Sequence, residues 1–262
     1  MFQANRSVIA KSLATLMGAG FLFTAQPAAA QTVTAVPSSI KTQYNITSPW
    51  YTKYVDAWGV PVLGSANVSN AALLKARANM QNTLRTYPYW PVSELQAKKV
   101  RVVIVARNEK MSSIPEVKAM FGTSLDDRYW GGFGATTSLP ITAGTEANLI
   151  DNYGSENVFV HEFGHTIMDM AISIIDPNFN TELTAAYNNA KSKNLWANTY
   201  AISTRSEYWA EGMQSYFSVN YNGPTGGDGV HNQVNTRPEL QTYDPMLYAL
   251  LNRVYQGQTL IN

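Results

Sequence analysis

"VFVHEFGHTIM", residues 158–168, decides how this chain is read. Its centre, "HEFGH" at 161–165, holds two of only three histidines among 262 residues. On an α-helix, positions four apart lie on one face, one turn above each other, so His161 and His165 direct both imidazoles at one point. Zinc takes nitrogen ligands at about 2.0–2.1 Å in a near-tetrahedral set, and such a pair supplies two of them. Glu162 points about 100° further round the helix. It would face the ion's open side, where a carboxylate can take a proton from water. The flanking "VFV" and "TI" carry no charge, as expected of a helix buried beside a metal. Gly164 costs a helix about 1 kcal/mol relative to alanine, so its presence points to close packing there.

Two histidines leave zinc under-coordinated, and a third protein ligand is required. Asp169 lies eight residues from His161, an axial rise of about 12 Å, so it cannot share their ion. It reads instead as a supporting or salt-bridging carboxylate. The H-E-x-x-H-x-x-G-x-x-H pattern is excluded, because Met168 and Ala171 stand where its glycine spacing and third histidine would be sought. "SEYWAEG", residues 206–212, is the better source. Glu207 and Glu211 are again four apart, sharing one helical face among aromatic and small residues. A carboxylate there is costly unless paired or bound to metal. One can ligate zinc while the other accepts the free ring N–H of a ligand histidine.

H-E-x-x-H followed some forty residues later by "EYWAE" resembles the gluzincin metallopeptidases. It is most similar to the branch containing the anthrax lethal factor catalytic domain. The resemblance covers residues 155–220 by motif. It implies a zincin-like fold, with a small sheet-containing upper lobe, a mainly helical lower lobe and the active-site helix between them. It also implies that Glu207 binds zinc, that Glu211 supports His161, and that a tyrosine seven residues before the ligand glutamate stabilises the oxyanion. That position is Tyr200, in "NTYAIS". The substrate would be a peptide or protein. "GATTSLPIT", residues 134–142, is the candidate for the strand that pairs with it. His231 follows a glycine-rich loop and belongs to no motif.

The rest of the chain fits an exported enzyme. Arg6 and Lys11, the apolar run "SLATLMGAGFLFTA" and the small residues of "PAAAQT" read as a secretory signal with cleavage after Ala30. The apolar run is too short for a spanning helix, so no stable membrane insertion is expected after its removal. The remaining 232 residues carry 17 basic and 18 acidic side chains, with no basic stripe to suggest nucleic acid. They suffice for one domain, residues 31–262. Cysteine is absent, so no disulfide contributes to stability, which is expected to rest on the core and a bound metal. The localisation expected is the periplasm or the medium.

Hydrophobic spacing predicts a helix over 68–87 capped by Ser69 or Asn70, and a buried strand in "KKVRVVIVARN", residues 98–108. A helix followed by a strand indicates an α+β fold. Residues 128–150 read as an irregular loop with an edge strand. Helices are expected from Ser155 or Glu156 onward, from Asn180, from Ser203 or Thr204, and from Asp244 with Pro245 at the first position. Two other functions fit the same residues. One is a zinc hydrolase of a non-peptide amide or ester. The other is a secreted glycan- or peptide-binding protein with a structural zinc, against which the presence of Glu162 argues.

Overall fold

The computed structural model describes residues 32–86, 90–122, 131–152 and 155–260, all within one compact unit. The expected export signal lies outside the described residues. The protein is a mixed α+β structure built on a five-stranded sheet of order β1-β2-β3-β5-β4. Its strands are β1 (Lys53–Ala57), β2 (Val60–Gly64), β3 (Arg101–Val105), β4 (Gly132–Phe133) and β5 (Ile141–Thr145). β2, β3 and β5 run parallel, while β1 and β4 pair antiparallel at the two edges. Trp58 and Gly59 join β1 to β2, both at positive φ, as a tight hairpin turn requires.

The helices are α1 (Ser38–Gln43), α2 (Asn70–Thr83), α3 (Val92–Ala97), α4 (Pro115–Phe121), α5 (Glu146–Asp151), α6 (Val158–Ile167), α7 (Ser173–Ile175), α8 (Phe179–Ser192), α9 (Arg205–Tyr216), α10 (Arg237–Tyr243) and α11 (Pro245–Tyr255). α6 runs into α7 through a wider π turn, Met168–Ile172. Val158–Ile175 is apolar and long enough to cross a membrane, yet it is mostly buried inside the protein.

Side-chain alternation along the strands sorts the core into two layers. Leu63, Val103 and Ala143 are register partners on one face, packed with Tyr44, Tyr51, Ile114 and Val117 from α1, α4 and their neighbours. Val62, Val102 and Thr142 are partners on the other face. There the larger core forms with α2, α6, α8, α9 and α11. β3 is buried at every position, which is why it reads as a continuous apolar run rather than an alternating one.

Most sequence expectations of element type hold, with shifts at the ends. Ser69 caps α2 by accepting from the Ala72 N–H, and Thr204 caps α9 by accepting from that of Glu207. Asp244 caps α11, with Pro245 at its first position. The helix expected from Ser155 or Glu156 starts later. Ser155 sits at φ 58°, and Asn157 is the cap, accepting from the Val160 N–H. α8 begins after Asn178 rather than at Asn180, whose side chain instead accepts from the Ser173 hydroxyl across the turn.

The largest correction falls on residues 131–150. They are not an irregular loop with one edge strand but hold two strands and α5. β5 is interior, between β3 and β4. Its sequence, "ITAGT", hides the strand because small residues suffice where helix and sheet press together. "GATTSLPIT" is likewise not the edge. It forms a turn closed by Thr136 N–H to Leu139 O at 2.9 Å and then enters β5, so the edge strand is β4.

Candidate metal centre

α6 and α9 cross in close contact, and glycine makes the crossing possible. A Cβ on Gly164 would lie 3.0 Å from Met213 Sδ and 3.6 Å from Ala210 Cα. The Gly164 carbonyl, in turn, accepts from Trp209 Nε1 at 3.1 Å. This is the close packing the sequence suggested. On the other flank, α6 is pinned to the sheet through Thr166. Its hydroxyl accepts from the Ala135 N–H at 2.9 Å and lies 2.6 Å from that of Thr142. α6 is thus held between sheet and helices with its polar face open.

That polar face meets α9. His161 Nε2 lies 2.9 Å from Glu207 Oε2, His165 Nε2 lies 3.1 Å from the same oxygen, and the two ring nitrogens are 3.1 Å apart. These three atoms form a group that could hold a metal ion. The fit is chemical as well as geometric. Two imidazole nitrogens and a carboxylate oxygen suit zinc, and a tetrahedral site with bonds of 2.0–2.1 Å needs donors separated by about 3.3 Å. Electrostatics agree. Burial pushes the Glu207 carboxyl up, but its hydrogen bonds to His161 and His165 outweigh this and hold it well below the usual carboxylate range. Burial works against a charged His161, yet the hydrogen bonds to Glu207 and Glu211 hold its pKa well above 6.5.

Glu162 is half-buried beside the triad. Burial pushes its carboxyl up, the two histidines oppose this, and the Glu207 charge adds to the rise. The Gly134 backbone N–H favours the charged form of this carboxylate. A Cβ on Gly134 would lie 2.7 Å from His165 Cβ and 3.0 Å from the Glu162 carbonyl oxygen, so the segment after β4 lies directly against α6. Tyr200, exposed at 44%, stacks over His161 with ring centroids 6.3 Å apart. Burial, and then the nearby Glu207 charge, push its phenol pKa up to about 12.

The triad, Glu162 and Tyr200 line one open cleft of about 640 Å³, walled by residues 131–136 on one side and by Val230 and His231 on another. Among the described residues, no lysine or arginine lines it.

Two further carboxylates were expected to support the site. Glu211 was expected to accept the ring N–H of His161. It is near, with Oε1 at 3.4 Å from Nδ1, but Gln214 Oε1 is closer at 3.0 Å. The other Glu211 oxygen, Oε2, accepts from Asn220 Nδ2 at 3.0 Å, which leaves Oε1 facing His161. Asp169 was expected to support a ligand or form a salt bridge. It is exposed on the cleft wall, at the start of the π turn, and among the described residues it makes no hydrogen bond or ion pair.

Glu156, Gln214 and His231 were missed as site residues. Gln214 was legible in principle. Positions 207, 211 and 214 follow the i, i+4, i+7 spacing of one helical face. Nothing local marks Glu156 or His231, which are 75 residues apart in sequence and meet at 3.3 Å.

No sequence family and no curated protein matches this chain. Among solved structures, it is similar to the Pro-Pro endopeptidase of Paenibacillus alvei. The two are 14% identical, over 73% of this chain and 96% of that one, with a TM-score of 0.47. That likeness is too distant to assign an activity, and it does not single out the lethal factor branch.

Proposed function

We propose that this protein is an exported, zinc-dependent peptidase of the gluzincin type, acting as one catalytic domain over residues 31–262. One observation carries the reading. His161, His165 and Glu207 bring their donor atoms to within 3.1 Å of one another on the floor of an open cleft, with Glu162 beside them. A structural metal site needs neither an open cleft nor a base. Export rests on the signal-like residues 1–30.

His161, His165 and Glu207 would hold the zinc. When bound, it supplies Lewis acidity, polarising a carbonyl and lowering the pKa of water. The protein's own groups do the rest. Glu162 stands beside the three donors in the cleft, and burial raises its carboxyl above its ordinary value, which suits a group that must accept a proton from water and return it to the leaving amine. Tyr200 keeps its proton at working pH because its pKa is pushed up to about 12, so its phenol can donate to a developing oxyanion. The segment 131–136 walls one side of the cleft and lies directly against the Glu162 side chain.

The test is metal analysis of the purified protein together with cleavage of a diverse peptide library, with and without a chelator. The expected result is about one zinc per chain and chelator-sensitive cleavage. A zinc-loaded protein inert on the whole library would overturn the peptidase reading, and a metal-free active protein would overturn the zinc.

A further inference from the structure

We propose that Gln214 is the positioning residue that fixes the ring of His161, and that Glu156, tied to His231, fixes Gln214. The consequence for metal binding rests on the zinc reading above, while the hydrogen bond itself does not. Gln214 is fully buried on α9. An amide can face two ways, and only one of them presents an acceptor to His161. Gln214 Nε2 lies 3.0 Å from Glu156 Oε2 and 3.2 Å from the Asn157 carbonyl oxygen. A carboxylate and a carbonyl can only accept, so the amide nitrogen must face them. Oε1 is then committed to His161 Nδ1 at 3.0 Å. Nδ1 carries a proton, and the lone pair of the neutral ring belongs to Nε2, the atom that meets Glu207 and His165.

Both anchors of the amide are themselves fixed. Asn157 is the cap of α6, so its carbonyl is set by the same helix that carries His161. Glu156 Oε2 is also 3.3 Å from His231 Nε2, and the His231 ring packs against Tyr221 with centroids 5.2 Å apart. Asp228 Oδ1 accepts from the Val230 and His231 N–H groups at 2.9 and 2.8 Å, and the Val230 carbonyl accepts from the Tyr200 N–H at 2.8 Å. The glycine-rich loop thereby holds the third histidine against the glutamate that orients the glutamine. An amide at 214 also has a physical reason. A carboxylate there would stand about 3 Å from that of Glu156, an unfavourable contact between like charges.

The test measures zinc affinity of the full chain by competition with a chromophoric chelator. Thermal stability and the His161 Nδ1–H resonance of the metal-free protein are recorded alongside. Wild type should show a slowly exchanging Nδ1–H. Gln214→Met cannot accept it, so the resonance should be lost and zinc affinity should fall 10–100-fold. Gln214→Glu can accept it and should bind zinc more tightly than the Met variant even where it is less stable. Adding Glu156→Gln to Gln214→Glu exchanges amide and carboxylate across that contact and should raise both readouts above those of Gln214→Glu alone, short of wild type because the Asn157 carbonyl then faces a second acceptor. Glu156→Leu, at a half-buried position, removes one anchor and should weaken zinc binding without touching a ligand; unchanged affinity there argues against the relay. Affinity that follows stability rather than acceptor capacity would overturn the proposal. So would a resonance that survives Gln214→Met and is lost in Glu211→Met. A wild type that binds no zinc yet loses the resonance only in Gln214→Met would refute the zinc reading and support the hydrogen bond.

Discussion

Replacing the two glutamates of α9 one at a time separates a ligand from its neighbour. Glu207 Oε2 lies within 3.1 Å of both ring nitrogens, so Glu207→Ala removes one of three converging protein donors. Zinc held in a folded site is worth about 10–16 kcal/mol in total, so an equal share for each donor is about 3–5 kcal/mol. That corresponds to roughly a hundred- to several-thousandfold loss of affinity. Glu211→Ala removes a carboxylate 3.4 Å from His161 Nδ1, on an atom already served by Gln214 at 3.0 Å. Its cost should lie near the lower end of the range for groups that only orient a ligand, about tenfold. Chelator competition on both variants and wild type reads the difference directly. The assignment of Glu207 as ligand fails if Glu211→Ala strips zinc as severely as Glu207→Ala does.

Glu162→Gln keeps shape but cannot accept a proton, so zinc should remain bound while kcat for peptide cleavage collapses, by about 10²–10⁴-fold for a lost general base; parental turnover would remove Glu162 from the mechanism. Asp244 is buried and accepts from Trp196 Nε1 at 2.9 Å, Tyr208 Oη at 2.6 Å and the Leu247 N–H at 3.1 Å. Asp244→Ala leaves three buried donors unpaired and should destabilise the fold by about 3–5 kcal/mol in denaturant titration; a loss under 1 kcal/mol would mean the donors find other partners. Burial lowers the His231 pKa, but the hydrogen bond its ring donates to Glu156 outweighs it, so the folded value lies above 6.5. That contribution is fully present below the unfolded value of about 6.5 and is lost as pH rises through the folded one. His231→Gln should therefore destabilise more at pH 6 than at pH 9, and a gap that widens with pH would contradict the ion pair.

The local pattern of the sequence determined the chemistry-bearing helices. His161 and His165 share a face because 3.6 residues make a turn, and Glu207 and Glu211 share one for the same reason. Ser69, Thr204 and Asp244 announce helix starts because a short polar side chain satisfies the free N–H groups there. Register and partner choice were decided only in three dimensions. "ITAGT" became an interior strand because β3 and Gly132–Phe133 flank it, and no periodicity in five residues, four of them small, encodes those neighbours. The ring of His161 lies nearer Gln214 than Glu211 as α9 packs closely against α6, with Gly164 leaving room for Ala210 and Met213. Glu156 and His231, far apart in sequence, meet because the loop after α9 folds back over the cleft. Helical periodicity is a property of the chain alone, whereas a contact between distant residues depends on how whole elements pack, and that is fixed only when the core closes.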